Sequence, residues 1–441
     1  MSVDYDLVVI GMGAHAHKLV GFAAQSGARV AWIGEGNRNL DNLFGNLYDV
    51  TKIGQSVSAS YLFKQLANKH CASPPLSQFT LLKKQINLIL KGICSDESLE
   101  TLQSLGVDVI WGEVKFLSQR RGAQILTVDE HHADKFRNYT PKQISSRAFA
   151  IATSQVPSPR QIFGLTDQHF LTVNQLFNLE KPPQSMVILG DDSLSCVIAQ
   201  LLNLVGIPIK LITDRSHILP DIDVTTARTL QAQLEVEGIE IYTRTQVTAV
   251  TELEHDHVKL WLNGSTLDCD RLLIPESTPH LDIHCDRHIY PCGNDRDIDF
   301  IRQRVLQTNL LELFRSSPLP IPVPTFVPTS PPLAQIGMTE ALAAKQYRAK
   351  LVVLESYVEQ MGLCKIVCNQ HGQILGASMV GEQAKVVVDA IAMAMQSKIK
   401  IQDLRGLPEL GLVEQWQQLH RSQQQQIKLK DWFTWRRDWN F

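Results

Sequence analysis

The residues best placed to do chemistry lie in one short turn near the N-terminus. Asp6 to Ile10 is a brief apolar, β-branched run, and Gly11-Met12-Gly13-Ala14-His15-Ala16 follows it directly. A helical stretch from His17 to Ser26 ends at Gly27, and Ala28 to Ile33 reads as a second strand closing on Gly34-Glu35. This is a βαβ pattern with G-x-G-x-x-A at its first turn and an acid after its second strand, a spacing that binds dinucleotides. Gly11 permits the tight turn, Gly13 lets a pyrophosphate approach the backbone, and Ala16 allows close helix–strand packing. The helix start offers free N–H groups and a positive dipole end to phosphates. Glu35 is placed to accept ribose hydroxyls. A turn kept only for folding is the alternative; the preceding strand and the acid 22 residues after Gly13 favour binding.

A second unit of the same design begins at Met186 to Leu189, a strand, followed by a helix from Ser193 to Val205 and a strand from Ile209 to Ile212. Its loop reads Gly190-Asp191-Asp192-Ser193-Leu194-Ser195, so Asp192 stands at the second glycine and Ser195 at the third fingerprint position. A carboxylate there repels a pyrophosphate at close range. The fold signal survives in this unit, and the binding signal does not.

These two units need a frame. A chain of 441 residues is too long for one core and fits two to four domains. With 44% hydrophobic and 20% charged residues it reads as an ordinary soluble protein, and a formal charge of −3 points to neither nucleic acid nor an anionic membrane as main partner. Asp4 and Asp6 stand where a secretory signal carries basic residues. No apolar run approaches the ~18 residues of a membrane span. Eight scattered cysteines without a metal-type pair fit a reducing cytoplasm.

Seven further segments carry a resemblance. Leu105 to Gly112 looks like an approach to a β-meander, and AFAIATSQVPSPRQIFG from Ala148 to Gly164 resembles an "ATG-x-x-P" crossover. His217-Ile218-Leu219-Pro220 resembles an "R-I-L-P" turn, and Gly238 to Ile241 the strand entry after it. Ile289-Tyr290-Pro291-Cys292-Gly293-Asn294 resembles "I-Y-A-x-G-D", and VPTFVPTSPPLAQIGMTEAL from Val323 to Leu342 the entry to a C-terminal interface domain. Gly376 to Gly381 fits that domain too. In this order the chain resembles the pyridine nucleotide-disulfide oxidoreductase family of dihydrolipoamide dehydrogenase, glutathione reductase and mercuric reductase.

The resemblance implies an α/β fold with two Rossmann-like domains and a C-terminal α+β dimerisation domain. The expected boundaries are 1–165 with 281–318 for the FAD-binding domain, 166–280 for the NAD(P)-like domain and 319–441 for the dimerisation domain. It also implies FAD as cofactor, held by Gly11, Gly13, Ala16, Glu35, Thr153, Gly293 and Asn294, and a homodimer. Asn294 replaces an aspartate that accepts a ribitol hydroxyl, which an amide oxygen still does. Ser154 replaces the glycine of "ATG".

Against the family pattern, the redox chemistry is missing. The pair Cys-x4-Cys belongs between Gly36 and Lys69, yet the first cysteine of the chain is Cys71; Thr51 and Ser56 align at the sulfur positions. A hydroxyl does neither thiolate chemistry nor disulfide exchange. Leu407 and Leu412 stand at the His and Glu positions of the stretch Leu407-Pro408-Glu409-Leu410-Gly411-Leu412, which aligns with the family's His–Glu motif, and leucine transfers no proton. Val197 takes the place of a helical Glu. Together with Asp192 these losses weigh against NAD(P) and against disulfide reduction. The expectation is a flavoprotein passing electrons to a quinone or other small acceptor, the alternative a non-catalytic binding, sensor or scaffold protein with an unknown protein partner. No residue is named catalytic, and no metal site is expected.

Other residues read blandly. Cys364 and Cys368 sit four apart in a strand, ~13 Å at 3.3 Å per residue, too far for a disulfide, and suit a core, as does Cys292. His15 and His17 diverge on a helix and form no metal pair. His131, His132, His280, His284 and His288 fall in polar or irregular segments. Pro318 to Pro332, with seven of twenty prolines, is a semi-rigid strap. The last ten residues, Trp432 to Phe441, hold five aromatics and read as a docking segment for the chain itself or its twin; another protein or a membrane interface is the alternative.

Overall fold

A computed structural model describes residues 4–11, 14–34, 79–84, 86, 99–120, 123–130, 142–152, 162–166, 168–252, 257–275, 289–292, 301, 324–347, 351–358, 362–404, 411, 413–415 and 417–418. Two compact units emerge: Met1–Ser216 with Glu237–Ile321, and His217–Val236 with Pro322–Phe441. In chain order the elements run β1 (Tyr5–Ile10), α1 (Ala14–Gln25), β2 (Val30–Gly34), α2 (Leu99–Ser104), β3 (Asp108–Arg120), β4 (Ala123–Glu130) and β5 (Lys142–Ile151). Then come α3 (Val173–Asn178), β6 (Met186–Leu189), α4 (Ser193–Val205), β7 (Ile209–Ile212), α5 (Val224–Val236), β8 (Glu240–Tyr242), β9 (Val247–Glu252), β10 (Val258–Leu262), β11 (Ser265–Cys269), β12 (Arg271–Leu273) and β13 (Ile289–Pro291). The C-terminal part holds β14 (Thr325–Val327), β15 (Leu333–Gly337), α6 (Glu340–Tyr347), β16 (Leu351–Val358), β17 (Gly362–Asn369), β18 (Ile374–Val380) and α7 (Ala384–Gln396).

The first sheet forms because β1 is apolar on both faces and needs cover on both. Leu7 and Val9 pack under Ala16, Leu19, Val20 and Ala23 of α1, while Val8 and Ile10 join Ala31, Ile33 and Phe149 on the other side. β1 pairs in parallel with β2 and β5, β2 with β3, and β5 with β13. The long β3 and β5 extend beyond this layer and are bridged by antiparallel β4. α1 stops at Gly27, φ +80°, whose N–H reaches Ala24 O while Ala28 N–H reaches Ala23 O, a left-handed cap that suits glycine.

The second sheet, ordered β12-β6-β7-β8, is parallel throughout. β9, β10 and β11 form an antiparallel meander. α4 ends like α1: Gly206, φ +94°, donates to Asn203 O and Ile207 to Leu202 O.

In the other unit an antiparallel sheet, β14-β15-β18-β17-β16, is covered on one face by α7 through Val387, Val388 and Ile391. α5 packs with this unit although the chain reaches it between β7 and β8. A buried polar hub fastens it. Lys365 Nζ on β17 donates to Asp223 (2.9 Å) and Thr225 Oγ1 (2.8 Å) at the start of α5, and pairs with Glu340 (2.6 Å) and Glu355 (3.2 Å). Burial alone pushes this lysine down, but the Glu340, Asp223 and Glu355 carboxylates hold it above the ordinary range. Gln335 adds two bonds, accepting from Asp223 N and donating to Asp221 O. No described helix is long and apolar enough to cross a membrane.

Candidate nucleotide turns

The first turn begins where β1 ends. Gly11 has φ +109°, a left-handed conformation open to glycine. Its N–H donates to Ile33 O (2.9 Å), and its carbonyl accepts from Trp32 Nε1 (2.7 Å), a buried bond. Trp32 therefore ties the turn to the next strand, and the His17 ring, buried in α1, meets the indole edge-on at 5.6 Å. Ala16 is fully buried against the sheet, so a longer side chain there has no room. The fit to a pyrophosphate at this turn rests on these observations.

The other expected cofactor residues follow strands of the same layer. Glu35 comes directly after Gly34 of β2, Thr153 follows Ala152, whose N–H reaches Ile10 O (2.7 Å), and Gly293 follows Cys292, whose N–H reaches Ile151 O (2.8 Å). Ligands of open α/β sheets bind outside the carboxyl ends of such parallel strands. Gly13, Glu35, Thr153, Gly293 and Asn294 themselves lie outside the described residues, as do Thr51, Ser56, Ser154, Leu407, Leu412, the side chain of His15, the histidines at 131, 132, 280, 284 and 288, and the aromatic tail. Of the expected set, Gly11 and Ala16 are described.

The second turn repeats the frame and fills it differently. Gly190 N–H donates to Ile212 O (3.2 Å), the counterpart of the Gly11–Ile33 bond. Asp192 caps α4: its Oδ1 accepts from Ser195 N (2.8 Å) and from Ser195 Oγ (2.6 Å). A Cβ built on Gly190 lies 2.3 Å from Ser195 Oγ, so that hydroxyl stands directly over the glycine. Asp191 accepts from Thr213 Oγ1 (2.6 Å), which in turn accepts from Arg215 N (3.0 Å). Burial pushes the Asp192 carboxyl up; the Ser195 bonds oppose the shift and the Asp191 charge adds to it. The sequence suggests charge repulsion alone; the structure adds an occupied helix donor and a hydroxyl over the turn. Val197 is fully buried.

Ser193 Oγ, at the first residue of α4, is buried and makes no hydrogen bond. Asp214, following β7 as Glu35 follows β2, is half exposed and lies 3.6 Å from Arg215. The sequence carries no sign of the part Trp32 plays in the first turn, nor of the bond between the Ser195 hydroxyl and Asp192. A Trp in an apolar strand signals burial, and which carbonyl its N–H meets depends on packing. The cysteines behave as core residues: Cys292, Cys364 and Cys368 are buried, and burial pushes Cys364 and Cys368 up to about 12.

Comparison with known proteins places this geometry. The sequence matches "Pyridine nucleotide-disulphide oxidoreductase" over residues 5–275 and the dimerisation domain of that family over 323–407. It is 22% identical to a mercuric reductase of Staphylococcus aureus, covering 91% of this chain and 79% of that protein. It is 20% identical to an NAD(P)H dehydrogenase (quinone) of Mycobacterium tuberculosis, covering 73% of each. Among solved structures it is similar to the HOCl-induced flavoprotein disulfide reductase RclA from Escherichia coli, with TM-score 0.66, 20% identity and coverage of 91% and 95%. LpdA from Mycobacterium tuberculosis gives TM-score 0.69 at 19% identity, covering 94% of this chain and 99% of that one. With two nucleotide-type units followed by the dimerisation sheet, the chain belongs to the pyridine nucleotide-disulphide oxidoreductase family.

Proposed function

We propose that this chain is an FAD-binding flavoprotein that does not reduce disulfides and passes electrons to a quinone or another small acceptor. The first turn carries the reading. Gly11 adopts the required left-handed conformation, its carbonyl is engaged by Trp32, and Ala16 packs without a gap. With the carbonyl satisfied inward, the N–H groups at the start of α1 remain for phosphate. Bound FAD supplies the redox chemistry, and the chain's own part is to hold and orient it. Gly11 and Ala16 would shape the turn and Gly13 would let the phosphates approach the helix start, while Glu35 would take the ribose and Thr153, Gly293 and Asn294 would line the far end. The first cysteine at Cys71 supports the loss of disulfide chemistry, and a relative named for quinone reduction supports the acceptor class.

A second reading, a non-catalytic binding, sensor or scaffold protein, is favoured by the internally capped turn at Asp192, which weighs against NAD(P) as electron donor. Assembly as a homodimer is supported by the dimerisation-domain match and by an exposed apolar stripe on α7, where Val386 and Met393 are 71% and 69% exposed. A cytoplasmic setting is supported by five described cysteines that are buried as thiols.

The test is the absorbance spectrum of gently purified protein followed by turnover assays with lipoamide and glutathione disulfide. Flavin bands without disulfide turnover are expected. Robust disulfide reduction contradicts the reading, and absence of flavin after added FAD leaves the binding-protein alternative.

A further inference from the structure

We propose that the second nucleotide unit is a dinucleotide site closed by its own side chains, Asp192 taking a helix N–H that a phosphate would use and Ser195 holding that carboxylate in place from the packing position that Ala16 fills in the first turn. The inference rests on the reading of the chain as having two nucleotide-binding units, and goes beyond it by assigning the closure to two residues.

The frame behind the closure is intact. Gly27 and Gly206, which end α1 and α4, each stand sixteen residues after the first glycine of their turn, Gly11 and Gly190. Ile33 and Ile212 each stand twenty-two residues after it and accept its N–H. Asp214 occupies the position of Glu35, so an acid suited to ribose hydroxyls is retained. What differs is confined to the fingerprint positions.

Those positions act together. The first N–H groups of a helix have no partner within it and are what a phosphate meets. Here the N–H of Ser195, one of that set, is taken by the Asp192 carboxylate at 2.8 Å. The Ser195 hydroxyl, held by the same carboxylate at 2.6 Å, fills the space over Gly190. Ala16, at the matching position of the first turn, has no such group. A second observation is independent of the cap. Ser193 Oγ is buried beside it without a partner, the mark of a polar site that the cap closes without fully satisfying. The ligand class is the ADP-ribose part of a pyridine dinucleotide, because Asp214 answers the ribose and the emptied turn the phosphates.

Asp192→Gly with Ser195→Ala gives the second turn the G-x-G-x-x-A pattern of the first. The test is calorimetric titration of the full chain with ADP-ribose, in saturating FAD so that the first turn is filled. The flavin spectrum and far-UV circular dichroism are recorded on the same samples. Wild type is expected to bind with Kd above about 1 mM, and the double variant ~10- to 100-fold more tightly. Asp192→Asn removes the charge but keeps an amide oxygen to cap Ser195 N, so its gain is smaller than that of the double variant. Wild-type binding near ~10 µM overturns the proposal. So does a folded double variant that binds no better than wild type, or an Asp192→Asn variant that recovers the whole gain. If the double variant does not fold, Ser195→Ala alone decides: a gain of ~3-fold or more supports the proposal, and none overturns it. A missing flavin spectrum fails the proposed function; the present proposal is then read from the difference between wild type and variant alone, since the first turn is the same in both.

Discussion

The two βαβ units of this chain share a frame and differ in what fills it. Each has a buried strand, a glycine whose N–H meets the end of the next parallel strand, a helix ended by a left-handed glycine, and an acid after the second strand. In the first, the polar group that fixes the turn comes from across the sheet, as Trp32 Nε1 on the Gly11 carbonyl. In the second it comes from inside the turn, as Asp192 on Ser195, and it consumes a donor at the helix start. The second turn thus spends on itself one of the donors that a phosphate meets at a helix start. Like backbone frames therefore carry unlike hydrogen bonds, and the difference lies in the residues at the fingerprint positions.

The comparison can be sharpened from the largest expected effect downward. A control outside both turns should be the most destabilising. Lys365→Met leaves Asp223 buried without its cation and should cost about 3–5 kcal/mol in denaturant unfolding, with the flavin spectrum retained wherever the protein stays folded. A loss of flavin from the folded variant breaks the separation between frame and turn.

Within the first turn, Gly11→Val forces a branched side chain into φ +109°. It should cost roughly 1–3 kcal/mol and release flavin into the filtrate on ultrafiltration. A variant that keeps stoichiometric flavin removes the Gly11 turn from the cofactor site.

Trp32→Phe keeps an aromatic ring but deletes the donor and part of the buried indole, stranding the Gly11 carbonyl. A stability loss of about 1–3 kcal/mol is expected, together with weaker FAD retention. In the second turn, Asp192→Ala removes the cap of α4 at about 0.5–2 kcal/mol and should leave the flavin spectrum unchanged. Equal flavin loss from both variants would show that the turns are not independent.

The smallest effect is one of pH. Burial raises the Asp192 carboxyl above its ordinary range. A raised folded value means that its stabilising contribution is complete below the unfolded value and is lost as pH rises through the folded one. Asp192→Asn escapes that loss, so its melting temperature relative to wild type should rise as pH increases from about 4, the ordinary aspartate value. A difference that falls over this range contradicts a desolvated carboxylate.

Much of the frame was legible because strong periodicity left few options. β6, α4 and β7 occupy the residues expected from sequence. The first unit shifts by a few residues: α1 starts at Ala14, inside the fingerprint and ahead of the expected His17. β2 starts at Val30 instead of Ala28, because the Ala28 N–H is spent on the cap to Ala23 O. Losses at Asp192 and Ser195 were also visible as residue types. Their joint geometry was not, since a hydroxyl over Gly190 follows from rotamers and helix capping. Lys365 escaped for a related reason. It alternates with Cys364 and Ile366 along β17, but its face is covered by polar partners from α5, α6 and β16 instead of solvent. Which distant segment covers a strand face is tertiary information.

The most direct test of the central claim is one anaerobic titration of the purified protein with NADH, followed by absorbance. If the first turn holds FAD and the second is closed by Asp192 and Ser195, the flavin bands are present at the start and remain oxidised. Bleaching of those bands by NADH, or a protein with no flavin bands after added FAD, contradicts the account.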